Sequence, residues 1–108
     1  MDEWEQVQLD YSFGGTEDSE VEVKMLHIMV LGLGFGGCTT LEKKGPTDNY
    51  AVAWAVRHLE LASLGDVVMQ VDGEPAILSL VNEVQRKRAP TGYKTATRTA
   101  PRKLHQSP

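Results

Sequence analysis

Two aspartates carry the most chemical information in this chain. Asp10 lies in Gln8-Leu9-Asp10-Tyr11-Ser12, and Asp72 closes the run Val67-Val68-Met69-Gln70-Val71-Asp72. Asp72 ends a strand at its C-terminal end, where open α/β sheets place their ligands. If the two strands are neighbours, both carboxylates reach one point. Like charges there repel and raise one pKa unless a cation neutralises them. Hard oxygen ligands of this kind suit Mg²⁺ or Mn²⁺. The same residues also have a purely structural reading. Asp-Gly is common turn chemistry, and Asp72 can cap the helix that opens at Pro75.

Other chemistry-bearing residues are less specific. Gly32-Leu33-Gly34-Phe35-Gly36-Gly37 matches G-x-G-x-x-G after a strand, but no long helix can open before Lys43-Lys44-Gly45-Pro46. A dinucleotide-binding turn needs that helix, so the glycines read as a bend or bulge between strands. His27, His58 and His105 have no ligand spacing with one another or with Cys38, and a zinc site needs about four nitrogen or sulfur ligands. His27 and His58 therefore read as structural or surface residues, and Cys38 as a small core residue. One cysteine forms no internal disulfide, which fits a reducing, intracellular compartment.

These residues must be positioned by a small scaffold. The chain has 108 residues, 41% hydrophobic and 24% charged, which is globular and allows one modest core. The longest apolar run, Met25 to Cys38, is broken by His27 and four glycines and is too short to span a bilayer. Charge is segregated: residues 1–22 hold eight acids and no Lys or Arg, and residues 86–108 hold seven bases and no acid. A basic arm of this kind permits contact with nucleic acid or a membrane surface, although charge alone favours a solvated tail.

Val7-Gln8-Leu9-Asp10-Tyr11-Ser12-Phe13 alternates apolar and polar residues and predicts a half-buried strand. Val21 to Leu33 predicts a long strand, and Cys38 to Glu42 a return strand. Val52, Ala55, Val56, Leu59 and Ala62 share one face of a helix over 50–64, with Gly65 as its stop. Residues 66–72 suit a buried parallel strand. Ile77, Leu80, Val81 and Val84 recur at helical spacing over 75–87, and 93–98 reads as an edge strand. The order β-β-β-α-β-α-β implies an α/β fold, a mixed sheet with helices packed on it.

These motifs, in this order, resemble the catalytic core of retroviral and LTR-retrotransposon integrases, which has an RNase H-like fold. Gln8-Leu9-Asp10-Tyr11-Ser12-Phe13 is similar to the family's first strand with its metal-binding Asp. Lys44-Gly45-Pro46-Thr47-Asp48, followed by Trp54 and Leu59, resembles the entry to its first helix. Val67 to Glu74 resembles the strand ending in the second metal-binding Asp, with Gly73-Glu74 where many integrases have Asn-Gly. Pro101 to Pro108 looks like the loop leading to the helix that bears the third acid. The resemblance thus implies a C-terminally truncated core over 1–108 that lacks the final helices, with an extension at 1–5, the core at 6–98 and a flexible loop at 99–108. Part of the sheet is then expected to remain uncovered.

By resemblance, the complete family is a polynucleotidyl transferase that acts on DNA by two-metal phosphoryl transfer. Asp10 and Asp72 would be its catalytic and metal-binding residues, with Mg²⁺ or Mn²⁺ as cofactor. Lys94, Arg98, Arg102 and Lys103 would contact phosphates of the nucleic acid. The expected function is an integrase-like domain of a retrotransposon polyprotein, inactive in this fragment because the third catalytic acid is missing. DNA is the expected partner, with a homo-oligomer permitted, no membrane, and a nuclear location suiting the family. The alternative is a small α/β protein-interaction or binding module without metal chemistry. Asp10 and Asp72 facing one another on adjacent strands would favour the first reading.

Overall fold

A computed structural model describes residues 4–14, 23–41, 49–99. The elements are β1 (Glu5–Gly14), β2 (Val23–Val30), β3 (Phe35–Leu41), α1 (Asn49–Leu61), β4 (Val67–Val71), α2 (Pro75–Arg88) and β5 (Thr95–Thr99), with a 3₁₀ turn at Ala89–Thr91. One mixed sheet runs in the order β3-β2-β1-β4-β5. The first three strands pair antiparallel, and β4 pairs parallel with β1 on one side and β5 on the other. The expected order of elements is therefore present. The expected 99–108 loop falls, apart from Thr99 at the end of β5, outside the described residues.

Period-two alternation separates the faces. Val7, Leu9 and Tyr11 of β1 pair with Val30, Ile28 and Leu26 of β2, and all six are buried. The crossovers β3-α1-β4 and β4-α2-β5 step the same way across the sheet, so right-handed connections lay both helices on one face. Their apolar stripes meet that face. Ala51, Val52, Ala55 and Leu59 of α1 and Ile77, Leu80, Val81 and Val84 of α2 join the strand residues in one core. No helix of the described residues covers the other face, and none is long and apolar enough to cross a membrane.

Four local expectations are corrected. Residues 31–34 form a hairpin turn and Gly36 and Gly37 lie within β3, which begins at Phe35 rather than Cys38, while β2 ends at Val30. The N–H groups of Leu33 and Gly34 both donate to the Val30 carbonyl, at 3.2 and 2.9 Å. Gly34 has φ +66°, a left-handed geometry that glycine adopts without a Cβ clash. Cys38 is exposed rather than in the core, because β3 is an edge strand and Cys38 points away from the helices. Helix α1 ends at Leu61, and the left-handed residue after it is Ser63 (φ 57°), not Gly65. The last strand starts at Thr95, two residues later than the edge strand expected over 93–98.

Arg88 is the one charged residue of the described chain that is buried. Its guanidinium donates to Thr95 Oγ1 at 2.6 Å and to the Gly65 carbonyl at 2.5 Å, tying the end of α2 to β5 and to the segment before β4. A buried cation needs such partners, since an unpaired one is strongly destabilising.

A candidate carboxylate site on the open face

The parallel register of β1 and β4 fixes the geometry of the two aspartates. The ladder ends with Gln8 opposite Gln70, and two residues on Asp72, just past β4, comes beside Asp10 in the same cavity. Both sit on the uncovered face, Asp10 in the middle of β1 and Asp72 just past the C-terminal end of β4. They line a shallow cavity of about 180 Å³ together with Gln8, Leu9, Gln70 and Val71. Asp10 is exposed by virtue of strand alternation: its neighbours Leu9 and Tyr11 take the core positions.

Electrostatics reflect this placement. The Asp10 carboxyl is raised above its ordinary value, first by partial burial and next by the charge of Asp72, with a smaller contribution from Glu74. The Tyr11 backbone N–H and the nearby His27 act in the opposite direction. Asp72 also takes the turn role open to an Asp-Gly pair rather than the helix-capping one: its Oδ1 accepts the Glu74 N–H at 3.0 Å and shapes the turn into α2. The helix's own N-cap position, Glu74, makes no side-chain capping bond.

A carboxylate pair in which Asp10 is costly to ionise, through partial burial and the charge of Asp72, is a donor set for a hard divalent cation. Mg²⁺ in particular takes one or two protein carboxylates and completes its shell with water and phosphate oxygens. Among the described residues no group of three or more His, Cys, Asp or Glu is placed to hold a metal, so a closed tetrahedral site is not the type that fits.

The basic candidates are dispersed. Arg98 of β5 lies opposite Gln70 on the same face as the aspartates, and its Nη1 donates to Gln6 Oε1 at 3.3 Å across β4. Lys94 lies at the other end of the sheet, where its N–H donates to Asp66 Oδ1 at 2.8 Å just before β5 begins. Arg102 and Lys103 lie outside the described residues. A further pair went unnoticed in the sequence. His27 of β2 lies opposite Asp10, and its Nε2 meets Ser12 Oγ at 2.7 Å. The alternation Leu26, His27, Ile28 already aims His27 away from the core, but which strand it would face depends on the register.

No family model matches the chain, and no curated protein matches it by sequence. Solved structures do. The HTLV-2 integrase catalytic core domain in complex with magnesium, in its dimeric form, matches with a TM-score of 0.62 at 15% identity over 86% of this chain. The simian T-cell lymphotropic virus intasome in complex with PP2A regulatory subunit B56 gamma matches with a TM-score of 0.64 at 13% identity over 94% of this chain. The chain spans 59% of the first structure's chain and 36% of the second's. The topology built up strand by strand above is thus that of known proteins: the chain has the RNase H-like α/β fold of a retroviral integrase catalytic core.

Proposed function

We propose that this chain is an integrase-type nucleic-acid-processing domain of a retrotransposon, in which Asp10 and Asp72 hold Mg²⁺ or Mn²⁺ against a DNA phosphodiester. The observation that carries the reading is the placement of the two carboxylates in one cavity, Asp10 within β1 and Asp72 just past the end of the adjoining parallel strand β4. Each carboxylate supplies hard oxygen ligands, and the shared cation would relieve the repulsion that raises Asp10. When bound, such a cation supplies Lewis acidity at a phosphoryl oxygen and acidifies a bound water or hydroxyl. The Glu74 N–H fixes the Asp72 carboxylate through one oxygen, which limits the rotamers the pair must lose on binding.

Arg98, on the same face, is the cation best placed to contact a strand crossing that face. Lys94, Arg102 and Lys103 would add phosphate contacts without base specificity, giving affinity that falls steeply with salt. Among the described residues no third acid joins the pair. The activity proposed for the described residues is cation-dependent nucleic-acid binding, with Asp10 and Asp72 on the cation and Arg98 on the same face. A second copy of the chain is a further proposed partner, given that one of the similar structures is dimeric.

Calorimetric titration of residues 1–108 with Mn²⁺ tests the reading. One site is expected in the wild type, lost in both Asp10→Asn and Asp72→Asn. A folded wild type that takes up no Mn²⁺ would sink it and leave the small binding module without metal chemistry.

A further inference from the structure

Beside the carboxylate pair, on the side away from β4, stands a second polar pair. Ser12 lies two residues beyond Asp10 on β1 and so shares its face. His27 lies directly opposite Asp10 on β2, with its neighbours Leu26 and Ile28 buried in the core. Adjacent strands are about 4.8 Å apart, and same-face residues along a strand are about 6.7 Å apart. Ser12 and His27 are thus each one step from Asp10, in perpendicular directions, and they meet at 2.7 Å between Oγ and Nε2.

Hydrogen counting makes this pair a donor whichever tautomer it adopts. A hydroxyl and a neutral imidazole carry two polar hydrogens between them, and their mutual bond uses one. If Ser12 donates to Nε2, the imidazole hydrogen is on Nδ1. If Nε2 donates to Ser12, the hydroxyl hydrogen turns elsewhere. One donor is left over in both cases. It stands on the face that carries no helix, next to two carboxylates that would hold a cation. A ligand that suits a cation on one side and a hydrogen-bond donor on the other is an oxyanion with several oxygens, of which a phosphodiester is the relevant class.

We infer that Ser12 and His27 form a phosphate-oxygen subsite next to the carboxylate pair, receiving the sugar-phosphate backbone of a nucleic-acid strand on the β2 side of Asp10. This rests on the cation-binding reading of Asp10 and Asp72, and it adds the direction in which the strand leaves them: toward β2 and β3 as well as toward Arg98 on β5. Ser12 acts through His27 as well as by itself, because its hydroxyl is what holds the ring.

The test separates this inference from the reading beneath it. Binding of a fluorescent single-stranded oligonucleotide to residues 1–108 is measured by anisotropy at saturating Mn²⁺, and Mn²⁺ affinity is measured alongside by calorimetry. His27→Ala is expected to weaken oligonucleotide binding about tenfold, the loss of one hydrogen bond to a charged group, with Mn²⁺ affinity kept within about twofold. Ser12→Ala, which removes only a hydroxyl from a sheet surface and should leave folding intact, is expected to weaken it by a smaller factor. His27→Gln, which keeps a donor, is expected to recover most of the binding. Unchanged oligonucleotide affinity in both alanine variants would overturn the subsite while leaving the carboxylate reading in place. Equal loss of Mn²⁺ and oligonucleotide affinity in His27→Ala would also overturn it, since the ring would then be supporting the cation site. Absence of Mn²⁺ binding in the wild type would remove both.

Discussion

The helix-covered and open faces of the sheet are built from alternate residues of the same strands, yet they answer to different physics. Toward the helices point Val7, Leu9, Tyr11, Leu26, Ile28, Val30, Met69 and Val71, all buried. Away from them point Gln8, Asp10, Ser12, His27, Gln70 and Arg98. The first set is held by removal of apolar area from water, at roughly 1.5–3 kcal/mol for each fully buried side chain. The second set contributes little to folding and includes a carboxylate pair that opposes it. Packing constrains the first face and leaves the second available for chemistry, so the candidate site lies where burial imposes least.

Adjacent residues of β4 give the largest expected contrast. Met69 is fully buried and Gln70 is only half-buried, one residue on and facing the other way. Met69→Ala is expected to cost about 2–5 kcal/mol, lowering the melting midpoint by roughly ten degrees or more. Gln70→Ala is expected to stay within about 0.5 kcal/mol. Thermal melts of the two variants measure the difference. Comparable losses in both would mean that something covers the open face in solution.

Much of this asymmetry was legible in the sequence, because period two is a local signal. The run Val7 to Phe13 assigns Asp10 to the polar face of its strand without reference to any partner, and Ile77, Leu80, Val81 and Val84 assign the buried stripe of α2. The approach of Asp10 to Asp72 was legible only through the family resemblance, since 62 positions separate them and only the insertion of β4 beside β1 brings them together. Cys38, with no base or ligand partner in sequence, reads as a small core residue, but its exposure follows from β3 lying at the sheet edge, a fact of topology. Arg88 failed for a related reason. In Arg86-Lys87-Arg88 it reads as one more solvated charge, and its acceptors come from Gly65 and Thr95, on other elements.

A titratable group that belongs to the covered side sharpens the comparison through pH. His58 of α1 packs between Phe35 of β3 (ring centroids 4.7 Å apart) and Trp54 (5.2 Å), over Gly37, where an added Cβ would come within 2.7 Å of its ring. Its Nε2 is buried without a hydrogen-bond partner among the described residues. Burial alone lowers its pKa from the ordinary 6.5, with no charged neighbour contributing. The unfolded chain therefore takes up this proton first as pH falls. The stability associated with neutral His58 is complete above pH 6.5 and is lost as pH drops below it toward the folded-state value. The melting midpoint of the wild type is expected to fall between pH 8 and pH 5 by more than that of His58→Phe, which keeps the aromatic contacts without a proton to gain. Parallel pH profiles for the two proteins would show that the ring is not desolvated there.

The smallest expected effect is the most diagnostic of the open face, because its sign is opposite to that of an ordinary core mutation. Asp10 has a raised pKa, from partial burial and from Asp72, so the folded state holds its proton more tightly than the unfolded chain. Its contribution is most favourable at low pH and declines as pH rises above the ordinary 3.8 and through the folded-state value. At neutral pH the ionised group is thus a cost to folding that Asn would remove. In the presence of a chelator, Asp10→Asn is expected to melt slightly higher than the wild type, by a gain of about 0.5 kcal/mol or less given its exposure. Added Mn²⁺ should reverse the order, since a cation bound only by the folded wild type stabilises it by about 2.7 kcal/mol at one hundred times its dissociation constant. A destabilised Asp10→Asn in chelator would mean that Asp10 carries a structural hydrogen bond worth more than the repulsion it suffers. A stabilised variant whose order does not reverse with Mn²⁺ would keep the repulsion but deny the cation. Only the crossing of the two curves fits a residue kept at some cost to the fold for what it binds.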